Sequence, residues 1–191
     1  NYHLKGDIQE ASKCYQYCIH KGFNDHRVFS NYGVILRDQN RLQEAELLTR
    51  KAIKLKPSFC DAYLNLGTIL SDLQKPEEAE ICARKAIELK PNLAIAHYNL
   101  GNTLSEVGKF KEAEISQLKA IRINPNFAKA YHSISKLNYS KDNEDWRNQL
   151  FSERIMLNQP IVNQIDINFA RANILHNEKK YKHSAKYLLW A

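Results

Sequence analysis

A spacing of 34 residues is the feature that most constrains how this chain can fold. Three glycines keep this spacing, and so do two sets of alanines and one set of prolines. The columns are Gly33, Gly67 and Gly101; Ala45, Ala79 and Ala113; Ala52, Ala86 and Ala120; and Pro57, Pro91 and Pro125. A length of 191 residues would also allow one or two globular domains. Because four independent columns share one period, the sequence instead predicts a row of stacked structural repeats.

Each column has a physical role in a unit of two helices joined by a turn. The small residues are expected where the two helices approach closely, since a larger side chain would push them apart. Large residues at the fourth, seventh and eleventh positions, such as Phe29, Tyr32 and Leu36, recur at i, i+3 and i+7. That recurrence places them on one buried helical face. The proline near the end of each unit stops the second helix.

This pattern resembles the tetratricopeptide repeat (TPR) family, whose 34-residue units carry similar glycine, alanine and proline positions. The resemblance implies an all-α fold, a TPR αα-superhelix in which helix-turn-helix repeats stack into a right-handed solenoid. Helix A of each repeat would line a concave groove and helix B would form the outside. The composition, 43% apolar and 26% charged, fits a folded protein, and no apolar run is long enough to span a membrane.

Counting from these columns divides the chain into six segments. They are a partial TPR at 1–25, full TPRs at 26–59, 60–93 and 94–127, a degenerate TPR at 128–164, and a truncated TPR-like helical pair at 165–191. The chain begins without Met and ends inside a predicted helix, so we interpret it as a fragment and expect more protein to follow. Its apolar end is expected to favour self-association.

The repeat at 128–164 departs most from the pattern. Ser135 stands in the glycine column, and the charged stretch 141–145 interrupts the unit. Its second helix is expected to begin near Asn143 or Glu144. That helix is expected to bury Trp146, Leu150 and Leu157 and to end before Pro160.

The sixth position of helix A is asparagine in three successive repeats, at Asn31, Asn65 and Asn99. An amide offers one acceptor and two donors, so such a series can bond the main chain of an extended peptide. It resembles the asparagine ladder in the TPR arrays of O-linked N-acetylglucosamine transferases. The alternative is that each asparagine is solvated or bonds within its own repeat.

Hydrogen-bond energies limit what this asparagine series can do alone. Six bonds at about 1 kcal/mol each are set against about 4 to 15 kcal/mol lost on association, which predicts micromolar or weaker binding. Other groove residues are therefore expected to contribute. These are Tyr98, Asn102, Arg37, Lys136 and Tyr139.

The TPR resemblance also suggests a second binding mode, in which Lys and Asn at the fifth and ninth positions hold a carboxyl terminus. Those positions read Ser30 and Val34, Leu64 and Thr68, Tyr98 and Asn102, and His132 and Lys136. The required pairing is missing, so binding of a chaperone tail is not expected.

No group of residues predicts catalysis, a metal or another cofactor. The sequence has no His-Glu-x-x-His motif, nucleophile elbow or glycine-rich phosphate loop. Cys14 and Cys18, with His20 nearby, have a helical spacing that a soft metal could use. However, Cys18 lies in a small-residue column and Cys14 shares its column with Cys82, so core packing is the preferred interpretation. Cysteines without a Cys-x-x-Cys pair fit a cytoplasmic location.

The charge does not point to a nucleic-acid partner. The chain carries 28 Lys and Arg against 21 Asp and Glu, a net charge of +7. This surplus divides unevenly between the repeats, and many of the cations belong to predicted B helices. No continuous basic track with stacking aromatics results, so neither nucleic acid nor a membrane is expected as a partner.

Two functions therefore remain open. The first is a non-catalytic scaffold that binds an extended peptide or protein segment in the groove. The second is the substrate-recruiting arm of a larger transferase, related to sulfotransferases or O-GlcNAc transferases. Residues 167–172, 180–181 and 184–190 resemble the last helical pair before the catalytic domain in bacterial TPR-sulfotransferase fusions. Under either hypothesis these 191 residues are expected to have no enzymatic activity.

Overall fold

The computed structural model describes residues 8–137 and 145–191, and within these ranges the chain is helical without a β-strand. It divides into two compact units, Asn1–Pro91 and Asn92–Ala191, which we call the N-terminal and the C-terminal unit.

The N-terminal unit is built from helix-turn-helix pairs. Its described helices are α1 (Ile8–His20), α2 (His26–Asp38), α3 (Leu42–Leu55), α4 (Cys60–Asp72) and α5 (Pro76–Leu89). Helix α2 packs on α3 and α4 packs on α5, while α3 and α4 join the two pairs. One core cluster is formed by Tyr32, Ile35 and Leu36 of α2 with Ala45 of α3 and Ile69 of α4.

The C-terminal unit begins with one such pair and then becomes irregular. Its described helices are α6 (Ala94–Glu106), α7 (Phe110–Ile123), α8 (Ala128–Ser135), α9 (Asp145–Phe151), a 3₁₀ helix (Glu153–Met156), α10 (Ile161–Asn177) and α11 (Tyr181–Leu188). Helices α6 and α7 form the regular pair. Helix α8 packs mainly against α10, and α10 also packs against α11.

The small-residue columns lie where the sequence predicts them. The six alanines of the two columns are at most 1% exposed. A Cβ atom added to Gly67 would lie 3.5 Å from Cys82 Cβ and 3.6 Å from the Ala79 carbonyl oxygen. Helices α4 and α5 therefore approach closely at the glycine, which confirms the role predicted for this column.

Four turns between paired helices share one geometry. The first residue after the helix cap has a positive φ in each: Asn40 (59°), Gln74 (57°), Gly108 (78°) and Lys179 (60°). The next N–H donates to a carbonyl of the last helical turn in each: Arg41 to Leu36, Lys75 to Leu70, Lys109 to Leu104 and Lys180 to Leu175. This is the Schellman arrangement, which satisfies carbonyls that the helix itself leaves free.

Helix α9 is shorter than the second helix predicted for residues 128–164. Trp146 and Leu150 are buried as expected, at 3% and 0% exposed, but Leu157 is 66% exposed. The prediction for Leu157 is wrong because α9 ends at Phe151 and the 3₁₀ helix that follows buries Ile155, at 2% exposed, instead of Leu157. The predicted start at Asn143 or Glu144 lies outside the described residues.

A buried arginine holds the end of α9. Arg171 of α10 is only 7% exposed. Its Nε donates to the Leu150 carbonyl and its Nη2 to the Ser152 carbonyl, both at 2.9 Å. The guanidinium therefore satisfies one carbonyl in the last turn of α9 and one directly after it, and it also lies over the Tyr187 ring.

Helix α10 takes the place beside α8 that a B helix takes beside an A helix. Asn173 Nδ2 donates to Ser135 Oγ at 3.2 Å, so the residue in the glycine column meets α10. The boundary predicted between residues 164 and 165 falls inside α10, which is continuous from Ile161 to Asn177. The division of the chain into repeats stays a prediction.

Candidate functional site

In the N-terminal unit, two of the predicted groove residues already form hydrogen bonds with other residues of the unit. Asn31 is exposed on α2. Asn65 on α4 donates through Nδ2 to Ser30 Oγ at 3.0 Å, so part of its amide is already used. The Arg37 guanidinium bonds Asp72 at 2.5 Å and thereby links α2 to α4. A role for these side chains in binding a ligand stays a prediction.

In the C-terminal unit, three predicted residues come together. Tyr98 and Asn102 of α6 and Lys136 at the end of α8 line one cavity of about 650 Å³. This volume falls within the range of about 300 to 1,000 Å³ that is typical of ligand pockets. Asn99 is half-buried on α6 but is not among the lining residues. Tyr139 lies outside the described residues.

Three polar side chains in this cavity form what we call the amide cluster: Asn102, Gln117 and Ser133. Gln117 Nε2 donates to Asn102 Oδ1 at 2.9 Å and to the Tyr98 carbonyl at 3.3 Å. Ser133 Oγ donates to the same Asn102 oxygen at 3.0 Å. The cluster thus joins α6, α7 and α8 by side-chain hydrogen bonds.

Gln117 is the member of the cluster that the sequence analysis missed. It is 1% exposed, and its Oε1 is buried without a hydrogen-bond partner among the described residues. The equivalent positions 34 and 68 residues earlier hold Ala83 and Thr49. A long amide in a column of small buried residues is the signal that could have identified it.

Gly101 makes room for this glutamine. A Cβ atom at position 101 would lie 2.6 Å from Gln117 Nε2 and 2.8 Å from its amide carbon. Since both distances are below van der Waals contact, an alanine here would displace the glutamine side chain. The glycine column therefore allows helix approach in the N-terminal unit and also allows a buried amide in the C-terminal unit.

The charged groups around the cavity are of both signs. Lys136 contributes an ammonium group and Glu106 a carboxylate. His132 also lines the cavity, with its Nδ1 3.3 Å from Asp166 Oδ1 and its ring stacked on Phe169 at a centroid distance of 5.8 Å. Burial and the nearby Lys136 ammonium lower the pKa of His132, although Asp166 acts in the opposite direction. His132 is therefore mainly neutral at pH 7, and the lining carries no strong net charge.

The other candidate sites predicted from the sequence have less structural support. Within residues 8–137 and 145–191, no group of His, Cys, Asp or Glu has the arrangement of a metal site. Cys60 and Cys82 are buried, and burial raises the pKa of the Cys82 thiol to about 11. Cys14 is exposed, so core packing was the wrong interpretation for it. Helix α1 packs through a face that includes Ala11 and Tyr15, and Cys14 lies outside that face.

None of the described helices is long and apolar enough to cross a membrane.

The paired helices, the buried small-residue columns and the repeated turn geometry define a TPR-like helical repeat protein. The chain belongs to the family of the cilia and flagella-associated protein 70 middle TPR-like domain, whose model matches residues 1–149. A search of the curated proteins finds no match to this sequence.

Solved structures support the same fold. A crystal structure of MamA is 22% identical, with a TM-score of 0.65 over 95% of each chain. MamA 41-end from Desulfovibrio magneticus RS-1 is 15% identical, with a TM-score of 0.64 over 98% of this chain and 85% of that one. The first TPR of Spaghetti (RPAP3), bound to the HSP90 peptide SRMEEVD, is 20% identical, with a TM-score of 0.57 over 59% of this chain and 89% of that one.

At these identities the likeness shows the fold alone. It confirms the predicted class, an all-α TPR fold. The predicted resemblance to transferase TPR arrays is not shown by any of these comparisons.

Proposed function

We propose that this chain is a non-catalytic interaction scaffold that binds an extended segment of a partner protein on its A-helix face. The observation that carries the proposal is the convergence of Tyr98, Asn102 and Lys136 on one cavity in the C-terminal unit. The three residues come from α6 and the C-terminal end of α8, two successive A helices, and the repeat columns together with the TPR resemblance predict them in a groove.

The chemistry of the cavity supports a peptide as ligand. Tyr98 offers a large half-buried ring whose centroid lies 5.1 Å from that of Phe127, and such rings are frequent anchors in protein interfaces. Asn102 and Ser133 supply polar atoms beside it. A ring next to donors and acceptors suits a peptide, which presents an apolar side chain and a polar main chain together. The RPAP3 structure, which holds a peptide, adds support from the fold.

The test selects ligands from a random peptide library displayed on phage, using the whole chain as bait. Binding of the enriched peptides is then measured by fluorescence polarisation. We expect micromolar affinity, and we expect Tyr98→Ala to weaken binding about fivefold or more because it removes an aromatic contact worth about 1 kcal/mol.

Lys119→Ala is the matched control for Lys136→Ala, since Lys119 is exposed on α7 and does not line the cavity. Lys136→Ala should change the affinity and Lys119→Ala should not. The proposal fails if no peptide is enriched, or if Tyr98→Ala and Lys136→Ala variants with unchanged melting curves bind as the wild type does. A triple change of Asn31, Asn65 and Asn99 to Ala that leaves the affinity unaltered would remove the asparagine series from the site.

A second function is the substrate-recruiting arm of a larger transferase, of the sulfotransferase or O-GlcNAc-transferase type. The observation in its favour is that the side-chain amides of Asn31 and Asn99 make no hydrogen bond to other described residues, so they can bond a substrate main chain. Sequencing the reading frame around this chain tests it. A nucleotide-sugar or phosphosulfate-binding domain would support the transferase, whereas only further repeats would contradict it.

Self-association and a cytoplasmic location remain predictions. The C-terminal end exposes Leu188, Leu189 and Trp190 at 52%, 85% and 70%, which is the surface expected to associate. Sedimentation velocity over a concentration series tests this: the wild type should show a rising mean mass, and Leu189→Lys should reduce it. A concentration-independent monomer would contradict self-association.

A further inference from the structure

Two members of the amide cluster, Gln117 and Asn102, have hydrogen-bonding groups without partners among the described residues. Both Nε2 hydrogens of Gln117 are used, by Asn102 Oδ1 and the Tyr98 carbonyl, whereas its Oε1 accepts nothing. Asn102 Oδ1 already accepts two bonds, from Gln117 and Ser133. The two Nδ2 hydrogens of Asn102 are not used by any described residue. The cluster therefore offers one unmet acceptor and a pair of unmet donors.

An unmet acceptor this deeply buried is energetically unfavourable. Leaving a buried polar atom without a partner costs about 1 to 3 kcal/mol. Most buried polar atoms of folded proteins have partners, so an exception calls for an explanation, of which a ligand is one. Here the residue lines a cavity of about 650 Å³, and because its oxygen is itself buried, the side chain must turn slightly towards the cavity for a ligand group to complete the bonding.

The charges of the lining decide what that ligand group can be. Lys136 and Glu106 carry opposite charges, and His132 is mainly neutral at pH 7. An anionic group would meet Glu106 and the bare Gln117 oxygen, and a cationic group would meet Lys136 and the Asn102 donors. A neutral group that both donates and accepts meets no like charge.

We infer that the cavity is a specificity pocket for a primary carboxamide, the side chain of an Asn or Gln in the bound segment. Its NH₂ donates to Gln117 Oε1 and its carbonyl accepts from Asn102 Nδ2. The inference rests on the proposed function for the source of the amide. It adds a side-chain preference that the fold and the asparagine series do not supply.

The N-terminal unit supports this specificity by contrast. The positions equivalent to Asn102 and Gln117 are Thr68 and Ala83 in the preceding repeat. Thr68 Oγ1 donates to the Leu64 carbonyl of its own helix at 2.9 Å. The carboxamide pocket is therefore a property of the C-terminal unit and not of every repeat.

The test uses small amides as probes and NMR as the readout. The ¹⁵N-labelled chain is titrated with propionamide, with propionate of the same shape but negative charge, and with 2-butanone, which only accepts. We expect propionamide to shift the side-chain NH₂ signals of Asn102 and Gln117 in a saturable manner. Propionate and 2-butanone should bind about tenfold more weakly or not at all, since each leaves a buried partner unmet.

Two variants separate recognition from folding. Gln117→Met keeps the length of the side chain and removes the acceptor, and Asn102→Asp keeps both accepted bonds and removes the donors. Each should weaken propionamide binding about tenfold. Asn102 is half-buried, so the second variant remains informative even if the first does not fold. Gln43→Met is the control, because Gln43 is exposed on α3.

The outcomes distinguish this inference from the proposed function. Equal or tighter binding of propionate, no shift of the Asn102 and Gln117 signals, or undiminished binding by Asn102→Asp would each overturn the carboxamide pocket. Peptides that bind without enrichment of Asn or Gln would also overturn it while leaving the scaffold function intact. Propionamide binding in a chain that enriches no peptide would support the pocket and contradict the scaffold.

Discussion

The two units use the same glycine column for different purposes. In the N-terminal unit the column faces short side chains, Thr49 beside Gly33 and Cys82 beside Gly67. The Thr49 hydroxyl donates to the Ala45 carbonyl of its own helix at 2.8 Å. In the C-terminal unit the column faces Gln117, whose amide reaches α6 and, through Asn102, is linked to α8.

The residues that face the glycine column serve packing in the N-terminal unit, whereas in the C-terminal unit one of them keeps a hydrogen-bonding atom unused. Beside Gly33 the Thr49 hydroxyl is satisfied within its own helix, so the glycine column of this unit offers no unused hydrogen-bonding group there. Gln117 bonds across helices and keeps one atom unsatisfied, which an interface selected only for stability would avoid. Thr49 and Ala83 show that the same backbone accepts residues without this disadvantage.

The largest effect is expected from changes in the cores of the two units. Leu70 in the N-terminal unit and Leu150 in the C-terminal unit are both 0% exposed. Changing either to Ala should lower the free energy of unfolding by about 2 to 5 kcal/mol, because each leaves a cavity in a packed core. Urea unfolding followed by circular dichroism measures both. If Leu150→Ala changes stability by only a few tenths, the short helix α9 does not belong to the core.

Exchanging the buried residues of the two units is the second test. Ala83→Gln places an amide in the N-terminal column without a partner equivalent to Asn102 and should destabilise by about 2 to 3 kcal/mol. Gln117→Ala loses two donated bonds but also removes the unmet acceptor, so its effect should be within about 1 kcal/mol. Melting temperatures of the two variants, measured in parallel, compare them. Equal losses would remove the distinction between the units.

The turns provide a smaller test. Gly108 in the C-terminal unit has a φ of 78°, whereas Gln74 occupies the equivalent turn in the N-terminal unit with a φ of 57°. Gly108→Ala should destabilise by about 1 kcal/mol, since a side chain strains the left-handed conformation. Gln74→Gly should be neutral or stabilising by several tenths. The reverse order in thermal unfolding would contradict the shared turn geometry.

The smallest expected effect concerns the start of α2 and its pH dependence. Asp25 accepts a bond from the Arg27 N–H at 2.8 Å, and the Arg27 side chain helps lower the pKa of this carboxyl to about 2. A lowered native pKa stabilises above the unfolded value of about 4 and loses this contribution as pH falls towards 2.

Asp25→Asn should therefore reduce the stability difference between pH 5 and pH 2 by less than about 1 kcal/mol. Helix α6 follows Leu93, which makes no side-chain cap bond, so Leu93→Ala is a control without this titration. Acid unfolding curves of both variants measure how much stability each loses between pH 5 and pH 2. An unchanged acid limb for Asp25→Asn would exclude this carboxyl as a contributor.

Much of the fold follows from the 34-residue period, because the two helices of each repeat pack against each other and against the adjacent repeats. The alanine columns and the close contact at Gly67 could be predicted in this way. The pairing of α8 with α10 could not, since it depends on which distant helix covers Ser135. The exposure of Leu157 follows from the same irregular connection.

For the candidate site, the columns predicted Tyr98, Asn102 and Lys136, which line one cavity, but not their hydrogen-bonding partners. Column positions predict which residues lie on the A-helix face, and they do not tell which hydrogen bonds are already used. Asn65 and Arg37 show this in the N-terminal unit, where neighbours within the unit take part of their bonding capacity. For the same reason, the unmet Gln117 oxygen could not be predicted from the sequence.

The contacts of Arg171 also bear on local opening of the chain. Its bonds to the carbonyls of Leu150 and Ser152 join a seven-residue helix to a helix of 17 residues. A helix as short as α9 has little stability of its own, so its amides should exchange with solvent at a rate set by this attachment. In Arg171→Met, hydrogen exchange should accelerate in residues 145–156 and remain slow in α6 and α7. One guanidinium would thus determine how often this part of the fold opens independently of the rest.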